Sequence, residues 1–173
     1  MKVVDDFLSK EDLKKVQHTM LGPDFSWYYN PFIDNYVKPN GAEGKDMFQF
    51  THSFYRSNRP MSEFYDEWFD MLIFPTITGN HLVRIKANLL TKTPEIIENE
   101  FHVDITPPKK PLTTAIFYVN TNNGYTKFED GTKVESVENR LVTFPAKMKH
   151  MGTTCTDKNV RIVINFLYMN YDI

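Results

Sequence analysis

The chain has 173 residues, a usual size for one folding unit, and 41% of them are hydrophobic, 14 Phe and 9 Tyr included, so a packed core is possible and the disordered class is excluded. Twenty basic against 22 acidic residues leave a formal charge of −2, which excludes a global field that recruits phosphate backbones or anionic lipid; no nucleic acid is indicated as partner. The single cysteine, Cys155, excludes an intrachain disulfide and the cysteine-rich zinc patterns.

The opening Met1 to Leu8 lacks the apolar run of about 7 to 15 residues found in signal peptides. No later stretch approaches a bilayer-spanning length, so the expected location is cytoplasmic, without a membrane partner. Ser9 followed by Asp12 resembles a capping box, and Leu13, Val16, Met20 and Leu21 recur at helical spacing, which predicts a helix of about three turns. Residues 21–46 carry Gly22-Pro23, Asn30-Pro31 and Pro39-Asn40-Gly41 and are expected to be loop with short strands. Met47 to Tyr55 reads as a strand, and Ser62 is placed to cap a second helix in which Phe64, Trp68, Met71 and Leu72 share one face.

From residue 81 the period changes to two. Val83, Ile85, Ala87 and Leu89 alternate with polar groups, as on a half-buried strand. Thr113 to Thr121, Tyr125 to Phe128, Lys133 to Glu135, Arg140 to Phe144 and Val160 to Tyr168 read as further strands, with a tight hairpin at Asp130-Gly131. Helices followed by short strands predict an α+β chain, mainly β, whose second half is an antiparallel jelly roll. The expected organisation is a single domain, with N-terminal supporting helices over 1–80 and the jelly-roll core over 81–173.

Three features of that half carry chemistry. On a strand, residues two apart point to one side, so His102 and Asp104 of His102-Val103-Asp104 can converge on one ion. His150, 48 residues further on, would complete a 2-His-1-carboxylate triad, the ligand set of non-haem Fe(II) oxygenases. A hydrogen-bonded surface or core histidine is the ordinary alternative for either residue taken alone. Arg161 stands in the apolar run Val160 to Phe166, where alternation groups it with Val163 and Asn165. A guanidinium there needs an anion: an internal acid, or the distal carboxylate of 2-oxoglutarate chelated to the iron.

At these residues the chain resembles the Fe(II)/2-oxoglutarate oxygenase superfamily, in its prolyl-hydroxylase-like branch. The matching words are Arg84 to Leu89, Phe101-His102-Val103-Asp104, Thr114 to Asn120, Gly124 to Phe128, Arg140 to Phe144, His150 and Arg161. The resemblance implies a double-stranded β-helix, with His102, Asp104 and His150 as iron ligands and Arg161 as the base for the cosubstrate's distal carboxylate. It also implies Tyr118 as a hydroxyl to the same carboxylate, Asn88 as a donor to the keto acid end, and O2 as the third reactant. Asn165, on the Arg161 face, is expected either as a neighbour of the site or as an ordinary strand asparagine. Collagen-type relatives carry Lys where Arg161 stands, and halogenating relatives replace the carboxylate that is kept here as Asp104, so hydroxylation of a peptidyl or small-molecule substrate is expected. Two rivals remain at this level: a cupin-type metal enzyme that does not use 2-oxoglutarate, and a non-catalytic jelly-roll binding or structural protein. The segments Phe25 to Pro39 and Thr91 to Glu100 are expected either to form a lid or to pack as a cover. Nothing in the sequence reads out an oligomeric state.

Overall fold

The computed structural model describes residues 1–31, 33, 48–77, 80–104 and 111–169. Among these the protein is mainly β, in antiparallel sheets with few helical turns. Strand β1 (Lys2–Val4) leads into helix α1 (Lys10–Leu21). The Ser9 hydroxyl accepts from the Asp12 N–H at 3.1 Å and donates to the Asp12 carboxylate at 2.8 Å, so the predicted cap forms. Val16 and Met20, one turn apart, are buried, while Leu21 at the end is exposed.

The second helix departs from expectation. It is built of α2 (Phe64–Glu67), a π-helical turn (Phe69–Ile73) and α3 (Phe74–Ile77). The Trp68 carbonyl accepts from both Leu72 and Ile73, and the extra residue in that turn lets Trp68, Leu72 and Ile73 all be buried. Phe64 and Met71 are only partly buried. Ser62 still accepts from the Phe64 N–H at 3.3 Å, but Glu63 occupies the cap position.

The main sheet contains β1, β2 (Tyr28–Asn30), β3 (Gln49–Arg56), β4 (Arg59–Pro60), β5 (His81–Thr91), β6 (Leu112–Tyr118), β9 (Arg140–Pro145) and β11 (Val160–Met169). Its order is β1-β9-β6-β11-β5-β3-β2, with β4 beside β3. A smaller sheet has the order β10 (His150–Gly152), β7 (Tyr125–Phe128), β8 (Lys133–Glu135). Gly131, at φ +89°, makes the turn between β7 and β8 in a conformation that disfavours other residues. Positions 34–47, which include much of the expected cover, lie outside the described residues.

Alternation sorts the two faces of the main sheet. Ile162, Ile164 and Phe166 of β11 join Ile85, Ala87 and Leu89 of β5 in a core with Val16, Met20, Trp68 and Leu72. On the other face, Ile116, Tyr118, Val142, Phe144 and Val163 pack against Phe128 and Val134 of the smaller sheet. Helices thus cover one face and the second sheet the other. Val83 is not on the core face: a register shift opposite Leu167 and Tyr168 reverses the alternation, so that Leu82 is buried in its place. Among the described residues, no helix is long and apolar enough to cross a membrane.

Candidate metal centre

His102 and His150 are direct partners in an isolated antiparallel bridge. The N–H of each donates to the carbonyl of the other, at 2.9 and 3.0 Å. Side chains of such a pair project to one side, and the two imidazole centroids are 4.7 Å apart. The expected strand through His102 and Asp104 is absent; one bridge residue followed by a bend brings Asp104 round instead. One ligand atom from each of His102, Asp104 and His150 lies within 4.8 Å of the others. Nδ1 of His150 donates to the Met148 carbonyl at 3.0 Å, which turns its Nε2 toward Asp104 Oδ2, 3.7 Å away. Nδ1 of His102 faces the Glu100 carbonyl at 3.3 Å in the same manner.

Asp104 is almost enclosed and closely held. Thr114 Oγ1 donates to Oδ2 at 2.5 Å, Arg84 Nη2 donates to Oδ1 at 2.8 Å, and Asn165 Nδ2 reaches Oδ1 at 3.3 Å. Burial alone would raise its pKa, but His150, Arg84 and the Thr114 hydroxyl outweigh that and hold the carboxyl below its ordinary value. Two imidazoles and one carboxylate form a donor set suited to a divalent transition metal with open coordination positions.

These three residues line one cavity of about 470 Å³ together with Arg84, Asn88, Thr126, Arg161 and Asn165. Arg161 is buried, at 3% exposure, and among the described residues no carboxylate pairs with it. Its Nε donates to Ser136 Oγ at 2.8 Å and its Nη2 to Thr126 Oγ1 at 3.3 Å. Burial pushes the guanidinium pKa down, the direction expected when water is removed and no acid replaces it. Tyr118 Oη donates to the same Thr126 oxygen at 2.8 Å. With both lone pairs engaged, the Thr126 hydroxyl has its own proton to give. Thr126 lines the cavity where Tyr118, fully buried behind it, does not.

Asn88 lines the cavity, and its Oδ1 is enclosed without a hydrogen-bond partner among the described residues. The expected neighbour Asn165 bridges Asp104 and Arg84. Arg84, Thr114, Thr126 and Ser136 were not singled out by sequence reasoning. A polar residue on a strand signals a solvated face as readily as a cavity wall, so Arg84, Thr114 and Thr126, inside family-like words, offered a trace and Ser136 none. The segment 91–100 packs as a cover along the chain before β11: Ile97 N–H donates to Thr154 Oγ1 at 2.9 Å, and Lys127 and Tyr125 both donate to Glu98.

No protein-family model and no curated protein matches the sequence. Solved structures do match. The chain is similar to a prolyl-4-hydroxylase from Pseudomonas putida, at 15% identity over 98% of this chain and 92% of that one, with a TM-score of 0.60. It is also similar to a prolyl hydroxylase from Trichoplax adhaerens, solved with a hypoxia inducible factor oxygen degradation domain peptide fragment, at 15% identity, 97% and 82% coverage and a TM-score of 0.63. The fold is that of the prolyl-hydroxylase-like oxygenases. A 2OG-Fe(II) oxygenase family protein from Burkholderia pseudomallei shares it at 13% identity, 72% and 67% coverage and a TM-score of 0.53. Against that oxygenase fold, the His-Asp-His cluster faces the cavity between the main and the smaller sheet.

Proposed function

We propose that the protein is an Fe(II)- and 2-oxoglutarate-dependent oxygenase, a single domain whose two facing sheets form a double-stranded β-helix. Its reaction would hydroxylate a C–H bond of a peptidyl or small-molecule substrate and release succinate and CO2. The observation that carries this reading is the buried Arg161, without a carboxylate partner among the described residues, in the same cavity as the three convergent ligands. A buried unpaired guanidinium is unfavourable by several kcal/mol in general, so its anion is expected to arrive as a ligand.

The donor set fits ferrous iron. His102, Asp104 and His150 would hold it, and iron with 2-oxoglutarate would supply the oxidising chemistry. The protein's own part is placement. Arg161 and the Thr126 hydroxyl hold the distal carboxylate, Tyr118 fixes the Thr126 oxygen from behind, and Ser136 fixes the guanidinium. Asn88, two residues along β5 from the Leu90 partner of Arg161, lines the same cavity, and its amide would serve the keto acid end. Enclosure by the two sheets keeps water from the reacting bond. The substrate reading rests on the Trichoplax protein, whose partner in the solved complex is a peptide.

The test is anaerobic loading with Fe(II) and 2-oxoglutarate, followed by oxygen and candidate substrates. Succinate that requires both iron and oxygen, and a product heavier by one oxygen atom, are expected. Metal binding without consumption of 2-oxoglutarate would point instead to a cupin-type metal enzyme.

A further inference from the structure

Among the described residues, Arg84 is the arginine or lysine whose side chain touches the ligand cluster directly. It comes from β5, beside Leu167 of β11, and turns toward Asp104 across a closed triangle. Arg84 Nη2 donates to Asp104 Oδ1 at 2.8 Å and to Asn165 Oδ1 at 3.3 Å, while Asn165 Nδ2 donates to the same Asp104 oxygen at 3.3 Å. Both lone pairs of Oδ1 are thereby engaged. Oδ2 has one donor, Thr114, and faces His150 Nε2 at 3.7 Å. Among the described residues Arg84 Nε is enclosed with no acceptor, an unfavourable state consistent with a guanidinium oriented by its Asp104 contact and not by its own hydrogen-bonding needs.

We propose that Arg84, with Asn165, is a positioning residue that turns the Asp104 carboxylate so that Oδ2 alone is offered to the metal, one oxygen in place of a chelating pair. This rests on the metal-site reading above. Left without Arg84, a carboxylate attached by two rotatable bonds could swing and present both oxygens, changing the coordination number as well as the affinity. Because one nitrogen, Nη2, makes both contacts, a lysine ammonium can replace its function in part, whereas an apolar chain of similar length cannot.

The experiment measures Mn(II) affinity by electron paramagnetic resonance and the visible d–d absorption of the Co(II)-loaded protein, both without cosubstrate or turnover. Arg84→Met is expected to weaken Mn(II) binding by about tenfold or more, the usual effect of removing an outer-shell partner, and to alter the Co(II) spectrum. Arg84→Lys is expected to recover most of both. If the wild type binds the ions and Arg84→Met binds them equally or more tightly with an unchanged spectrum, Arg84 does not position Asp104, and the metal-site reading survives. If the wild type binds neither ion, both readings fall. Should Arg84→Met lose its folded circular dichroism, Asn165→Leu carries the test. It removes the other donor to Oδ1 and is expected to weaken Mn(II) binding in the same direction; unchanged binding would overturn the proposal.

Discussion

Gly124 is pressed against Arg161: a methyl group added to Gly124 would stand 2.7 Å from Arg161 Cδ and 2.7 Å from the Thr154 carbonyl oxygen. The glycine therefore leaves the room in which the guanidinium stem lies. Gly124→Ala is expected to lower stability by about 1–3 kcal/mol through overpacking. With Arg161 shifted, 2-oxoglutarate affinity is expected to fall by about tenfold, equivalent to about 1.4 kcal/mol. Calorimetric titration of the Mn(II)-loaded variant checks this, and Mn(II) affinity itself is expected to stay at the wild-type value.

Asn139 ties the N-terminal segment to the sheet. Its side chain accepts from Leu8 N–H at 2.8 Å and donates to Leu8 C=O at 2.9 Å, and its backbone has φ +63°. Asn139→Ala removes two buried hydrogen bonds at about 1 kcal/mol each and places alanine in the left-handed region at about 1 kcal/mol more. Urea unfolding is expected to show a loss of roughly 2–4 kcal/mol. Asn139→Gly should lose less, because it relieves the backbone strain.

His52 sits in an aromatic cage, with ring centroids 4.3 Å from Phe25 and 4.8 Å from Phe54. Its Nδ1 donates to the Ser26 carbonyl and its Nε2 accepts from the Ser62 hydroxyl, each at 2.8 Å, which is the pattern of a neutral ring. Burial lowers its pKa below the ordinary 6.5, with the Ser26 carbonyl partly offsetting the shift. Below 6.5 the unfolded chain takes up a proton that the folded protein refuses, so the contribution is full above that pH and falls on acidification until the folded pKa is passed. The slope for one such proton is at most about 1.4 kcal/mol per pH unit. Melting curves between about pH 7.5 and 5.5 are expected to show a smaller acid-side decline in His52→Gln than in the wild type.

Regular periodicity was readable from the sequence where a single element determined it. The Ser9 cap, the hairpin at Gly131 and the two faces of β11 all formed as expected, because each depends on local geometry. Local pattern failed where packing between elements decides. The π-helical turn after Trp68 and the shift at Val83 each add or move one residue to bury a neighbour, and no local signal announces that. In the candidate site, the residues that cluster, His102, Asp104 and His150, and the buried Arg161 were legible as unusual residue types in a β context. Arg84, Thr114 and Thr126 were not, since a polar residue on a strand reads as part of a solvated face until another element lies over it. Tyr118, expected as a hydroxyl to the cosubstrate, is buried and donates to Thr126, which lines the cavity.

In the proposed complex one cavity holds both ends of a keto diacid, the metal cluster at one end and Arg161 at the other. Anaerobic titration of the Fe(II)-loaded protein, followed by the visible charge-transfer absorption of a keto acid chelated to ferrous iron, tests it most directly. The wild type is expected to develop the band with 2-oxoglutarate, and Arg161→Gln to require at least about 30-fold more, matching the roughly 2 kcal/mol lower bound for truncating a buried charge partner. Pyruvate, which lacks the distal carboxylate, should bind both proteins alike. No band in the wild type, or equal 2-oxoglutarate affinity in the two proteins, would contradict the account.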